Sequence, residues 1–160
     1  MNLGSGWRRL SGMAVAATAL GLTGCAGAPT GVPMSCPQPR FTGQAPPDYL
    51  RLTNPLSLAQ RDARVGEPLY REARGRAACS ACHGDQGEGN GPLAAQFDPP
   101  PRNFACTQTI AGIPDGQLFW VIRFGSPATA MPAHPDLTDE QVWQLVTHLR
   151  RLSTRTGGAG

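Results

Sequence analysis

"ACSACHGDQGEGNGP", residues 78–92, decides how this chain is to be read. Cys79 and Cys82 are separated by two residues, His83 follows directly, and a glycine-rich run comes next. Cysteine pairs at this spacing serve thiol–disulfide exchange, zinc binding or covalent attachment of haem. Exchange sites follow a β-strand in a βαβ setting, whereas the Arg- and Ala-rich residues before Cys79 read as helical. Structural zinc takes four ligands, usually with a second close pair. The other cysteines are Cys25, Cys36 and Cys106, the other histidines His134 and His148, and they form no such pair. Haem attachment remains: two thiols add to the two porphyrin vinyl groups, and the adjacent histidine becomes an axial ligand of the iron.

A six-coordinate haem needs a second axial ligand. Outside the expected signal peptide the methionines are Met34 and Met131. Met131 lies in the proline-bracketed loop "SPATAMPAHPDLT", 48 residues beyond His83, which is enough chain to cross a haem and present a thioether to its opposite face. A lone methionine is ordinarily a core filler, but this loop position favours the ligand role. His134 is the competing ligand and would give a lower reduction potential.

The N-terminus agrees with haem attached after export. "MNLGSGWRRLSGMAVAATALGLTGC" has Arg8 and Arg9 before a mostly apolar stretch, Leu10 to Leu22. That stretch is too short to span a bilayer and fits a signal-peptide core. It ends in "LTGC", which resembles the lipobox of bacterial lipoproteins, so Cys25 is expected to be the lipidated N-terminus of the mature chain. An ordinary secretory cleavage that leaves Cys25 as a thiol is the alternative. Residues 1–24 thus read as signal peptide and 25–64 as a Pro/Gly-rich tether and extension, with the domain at 65–153 and a tail at 154–160. The expected place is the bacterial cell envelope, at a membrane surface facing the periplasm or the outside.

Composition sets outer limits. Across 160 residues, 20 glycines and 16 prolines assign much of the chain to turn and tether rather than regular structure. All fourteen basic residues are arginines, and losing Arg8 and Arg9 leaves twelve against eleven acids. A mature charge near +1 argues against nucleic acid as a partner. "VGEPLYREARGRAAC" places Leu69, Tyr70, Ala73 and Ala77 on one helical face, with Pro68 expected in the first turn. "PDGQLFWVIRFG" predicts a short helix capped by Asp115 and stopped at Gly125. "LTDEQVWQLVTHLRRL" predicts a closing helix with a Thr138–Gln141 capping box, its Arg150 and Arg151 suiting the dipole of the last turn. The expectation is an all-α domain whose thin core a buried prosthetic group would complete.

From Val65 to Leu152 the chain resembles a class I c-type cytochrome, the fold of mitochondrial cytochrome c. "GEPLY", "CSACHGDQGEGNGP", "DGQLFWVIRFG", "TAMPAH" and "LTDEQVWQLVTHLRRL" carry the resemblance in order. It implies short helices around one covalently bound haem c, with the first and last helices crossing where Gly66 and Tyr70 meet Leu145 to Leu149. It also implies that the Pro92 carbonyl accepts a hydrogen bond from Nδ1 of His83. Two features depart from the family: His148 stands where a tyrosine is common and reads as structural, and the span from Tyr70 to Cys79 is long, suggesting an extra turn or a bulge near Gly75. Leftover cysteines in exported proteins more often pair than stay free, so Cys36 and Cys106 are expected to form a disulfide. Arg102 and Trp120 are candidates for contact with the haem propionates, set against surface ion pairing and core packing, which are narrowly favoured.

The implied function is one-electron transfer between redox protein partners, not enzymatic catalysis. With no lysine ring, docking would rest on apolar contact around "CSAC" and "TAMPA". The alternatives are a catalytic or gas-sensing haem with a labile Met131, and a permanent cytochrome subunit of a membrane oxidoreductase.

Overall fold

The structure is a computed structural model that describes residues 1, 35–38, 43–72 and 77–155. The expected signal peptide, Cys25, Met34, Ala73 and Gly75 lie outside the described residues. The chain divides into two units, Met1–Thr30 and Gly31–Gly160, and all the helices described below belong to the second. Among the described residues every regular element is helical: α1 (Pro47–Leu50), α2 (Ala63–Arg71), α3 (Cys79–His83), a 3-10 turn (Ala94–Gln96), α4 (Thr107–Ile110), α5 (Asp115–Phe124) and α6 (Asp139–Arg155). This all-α arrangement agrees with the fold class expected from the sequence.

Helix α6 organises the domain. Its start is set by a reciprocal cap: the Thr138 N–H donates to Gln141 Oε1 at 2.8 Å and the Gln141 N–H to Thr138 Oγ1 at 3.2 Å. Val142, Leu145, Val146, Leu149 and Leu152 recur at helical spacing and are all buried, so one apolar stripe serves as the core wall. Helix α2 crosses this stripe at Gly66. A Cβ there would lie 2.5 Å from the Gln144 carbonyl oxygen and 2.9 Å from the His148 Cβ, so only glycine lets the helices approach this closely. Tyr70, one turn on, packs its ring 5.0 Å from that of His148 and donates its hydroxyl to the Gly84 carbonyl at 2.8 Å.

Two expected helix starts differ. Helix α2 begins at Ala63 because the Asp62 carboxylate accepts the Arg64 N–H at 2.9 Å, which leaves Pro68 inside the helix and not in its first turn. The Arg64 contacts hold the Asp62 carboxyl down to about 2. In α5 the cap position is Pro114, and Asp115 is the first helical residue. Its carboxylate meets Arg150 at 2.7 Å, and Arg150 also donates to the Ile110 carbonyl at 2.7 Å. Arg150 therefore ties three helices together and does not cap its own. Helix α6 runs on to Arg155, two residues into the expected tail.

Residues 43–62 lie against the domain. The Gln117 side chain accepts from the Ala45 N–H at 2.7 Å and donates to the Gly43 carbonyl at 2.9 Å. Tyr49 of α1 rests its ring 5.5 Å from Phe124 and 6.3 Å from Phe119. Buried Asn54 donates to the Trp143 carbonyl and to Thr147 on α6.

Candidate haem site

Helix α3 is the five residues CSACH. Its two cysteines are three apart, hence on one helical face, and both are thiols that border the same cleft. Burial pushes the Cys82 thiol above its ordinary range. After His83 the glycine run folds back onto the helix. The Gly89 N–H donates to the His83 carbonyl at 2.7 Å and the Gly91 N–H to the Cys82 carbonyl at 3.1 Å. At Gly91 a Cβ would stand 2.4 Å from the Ala81 carbonyl oxygen, so this return needs glycine.

His83 is buried, its Nδ1 lies 2.9 Å from the Arg102 carbonyl, and its ring stacks on Phe104 at 4.5 Å. A carbonyl only accepts, so Nδ1 carries a proton and donates it. The family-based expectation that Pro92 supplies this carbonyl is corrected. Leu93, next to Pro92, donates its N–H to the Ala81 carbonyl at 2.9 Å, which lays this part of the loop along α3. The acceptor comes instead from "PPPRNF", where the chain returns to the histidine ring.

The same cleft reaches Met131 and His134. Met131 is half-buried, and its carbonyl accepts the Ser126 N–H at 3.2 Å. The loop carrying it is fastened by Arg123, whose guanidinium donates to the carbonyls of His134 and Leu137 and pairs with Asp139. His134 is buried and its N–H reaches the Ile122 carbonyl at 3.2 Å. His148 stands away from the cleft at the α2–α6 crossing. Burial holds its imidazole below the usual range, and its Nε2 has no hydrogen-bond partner among the described residues.

Arg102 borders the cleft and donates to the Gln38 carbonyl at 3.3 Å. Trp120 is not among the residues that line the cleft. Leu118, Val121 and Ile122 share the cleft-facing side of α5, and Trp120 turns towards Phe124, 6.2 Å away. Cys36 and Cys106 are joined by a disulfide with 5.6 Å between their Cα atoms. Sequence reading missed Phe104, Arg123 and Gln38. Of these only Phe104 had a signal, an aromatic inside a proline-rich turn that cannot be regular structure.

These residues fit a haem. The cleft is walled by apolar side chains such as Leu118, Ile122, Leu145 and Leu149, with one guanidinium, Arg102, at its border. Two thiols on one helix face and an imidazole whose Nδ1 is held by a backbone carbonyl suit attachment and ligation. Among the described residues no cluster of His, Cys, Asp and Glu is arranged to hold a metal ion by itself.

Residues 61–149 match the family model described as cytochrome c oxidase, cbb3-type, subunit III. The chain belongs to this family. A cytochrome c domain of this kind carries haem and transfers electrons. No curated protein matches the chain. Among solved structures it is similar to a chain of the Kuenenia stuttgartiensis reducing HAO-like protein complex, with 23% identity and a TM-score of 0.49. That likeness covers 63% of this chain and 49% of the other, so the chain spans about half the length of that neighbour.

Proposed function

We propose that this cytochrome c domain is a membrane-anchored one-electron carrier with a single covalent, His/Met-ligated haem c. The observation that carries the reading is that Cys79, Cys82, His83 and Met131 border one apolar cleft. Bound there, the haem supplies a reversible one-electron change at its iron. The chain's own part is to hold and shield it. Cys79 and Cys82 would hold the ring as thioethers, and His83 and Met131 would hold the iron. Two side chains holding the iron would leave a substrate no place on it, which favours transfer over catalysis.

Partners are redox proteins that pass electrons to and from respiratory or dehydrogenase systems. Ala77, Ala130, Pro132 and Ala133 are exposed at the ends of the cleft-bearing segments, which supports docking through small apolar residues. Without lysines, association should respond only modestly to salt. The anchor is lipid on Cys25, in the cell envelope. Among the described residues no helix is long and apolar enough to cross a membrane. An anchored carrier meets membrane-bound partners at raised effective concentration.

The test is the optical spectrum of the haem-loaded protein, oxidised and reduced, then with CO. A covalent c-type spectrum with the weak red methionine-to-ferric-iron band and no CO response is expected. Rapid CO binding or a high-spin ferric spectrum would move the reading to a labile Met131 and a catalytic or sensing haem. Absence of covalent haem would overturn it.

A further inference from the structure

We propose that Gln38 is a positioning residue for the axial histidine, acting through the peptide on either side of Arg102. The inference rests on the reading of His83 as haem ligand. The Gln38 side-chain amide makes two bonds to the chain that carries the histidine's acceptor: Nε2 donates to the Pro101 carbonyl at 3.1 Å, and Oε1 accepts the Asn103 N–H at 3.0 Å. Between those two points lies the Arg102 carbonyl, 2.9 Å from His83 Nδ1. The Gln38 backbone adds two more bonds, its N–H donating to Thr109 Oγ1 at 2.9 Å and its carbonyl accepting from Arg102 Nη1 at 3.3 Å. From the inner side, the N–H groups of Phe104 and Ala105 both reach the Gly87 carbonyl, at 2.6 and 3.1 Å. The acceptor of the histidine proton is thus held between a glycine of the haem-binding loop and a glutamine 64 residues upstream of Arg102.

A lone glutamine in such a segment would lose these bonds to water. Here the Cys36–Cys106 disulfide ends two residues before Gln38 and three residues after Asn103. The covalent link makes the clamp an intramolecular contact at high effective concentration. The consequence follows from how outer groups tune a metal ligand. A carbonyl held on the far nitrogen fixes the imidazole ring and raises its donor strength, and a stronger donor favours ferric over ferrous iron. Loosening the clamp should weaken that hydrogen bond and raise the reduction potential, with Cys79, Cys82, His83 and Met131 untouched.

The experiment compares haem-loaded full-length wild type with Gln38→Ala, reading the His83 Nδ1–H exchange rate by NMR, the reduction potential and the optical spectrum. Expected are exchange about fivefold faster, as the loss of one hydrogen bond's net contribution implies, and a higher potential, with a low-spin spectrum unchanged from wild type. Wild-type exchange and potential in a folded, low-spin variant would overturn the proposal and leave Gln38 a merely structural residue. A wild-type protein that shows no histidine-ligated haem would instead overturn the ligand assignment. If Gln38→Ala does not load haem, Thr109→Val decides, since it removes only the bond to the Gln38 N–H. A smaller shift in the same direction supports the clamp, and none overturns it.

Discussion

Helices α2 and α6, which lend Tyr70, Leu145 and Leu149 to the cleft, and the 101–106 segment, which lends Pro101, Arg102 and Phe104, are held in opposite ways. At the crossing, two helices meet through an apolar stripe and one glycine, with Gly66 against Gln144 and His148. The 101–106 segment contains no helix or strand. It is held by Gly87 from within, by Gln38 from without, and by a disulfide to a cysteine 70 residues away. Packing of regular elements tolerates small adjustments shared over many contacts, whereas an irregular segment depends on a few specific bonds. The histidine's acceptor is on the irregular one.

Removing the disulfide should separate the two regions most sharply. Cys36→Ala/Cys106→Ala is expected to cost about 4 kcal/mol from the reopened loop, measured by denaturant unfolding of the haem-loaded protein. Amide exchange should accelerate first in 101–110 and last at the crossing. Equal acceleration everywhere would mean that the two regions form one cooperative unit. Gly66→Ala tests the other side. Its Cβ meets backbone oxygen, which cannot swing aside, so a loss of about 2–3 kcal/mol is expected, with exchange rising at α2 and α6 before the 101–106 segment. A near-neutral result would show that α2 can slide along α6.

Smaller effects refine the picture. Thr138→Ala removes half of the reciprocal cap and should lower stability by about 1 kcal/mol, visible as a lower Tm with an unchanged reduction potential. His148 gives a pH signature. Its imidazole is held below the ordinary value by burial, so below about pH 6.5 the unfolded chain binds a proton that the folded one refuses. Stability is therefore full above that pH and falls as the pH drops. His148→Gln should flatten that slope. A slope unchanged in the variant would assign it to other groups.

The same contrast explains what the sequence made legible. The crossing was readable because periodicity reports burial directly: Leu145, Leu149 and Leu152 recur on one face, and a capping box marks the start. The residues that meet at the cleft were readable because Cys79, Cys82 and His83 share one short helix and Met131 stands in a loop with few competitors. The acceptor of His83 was not. Gly91–Pro92 has the expected local look, and only the three-dimensional return of "PPPRNF" shows that Arg102 takes the role. Asp115 was misread for a similar reason: a carboxylate at a helix start suits a cap, and nothing local reveals that Arg150 of α6 lies within reach. Gln38 carried no signal, since its partners lie 63 to 71 residues further along the chain.

The disulfide has a consequence for how the protein is made. On the proposed export and haem attachment, four of its cysteines, Cys36, Cys79, Cys82 and Cys106, meet two opposite fates in one compartment. Cys36 and Cys106 have to be oxidised together, while Cys79 and Cys82 have to stay reduced until they bond to the porphyrin. Cys79 and Cys82 are also nearest neighbours along the chain, so the quickest bridge to close is the wrong one. On the proposed haem attachment, maturation therefore calls for an oxidant and a reductant acting on the same polypeptide, and their order decides whether a chain becomes a cytochrome or a dead end.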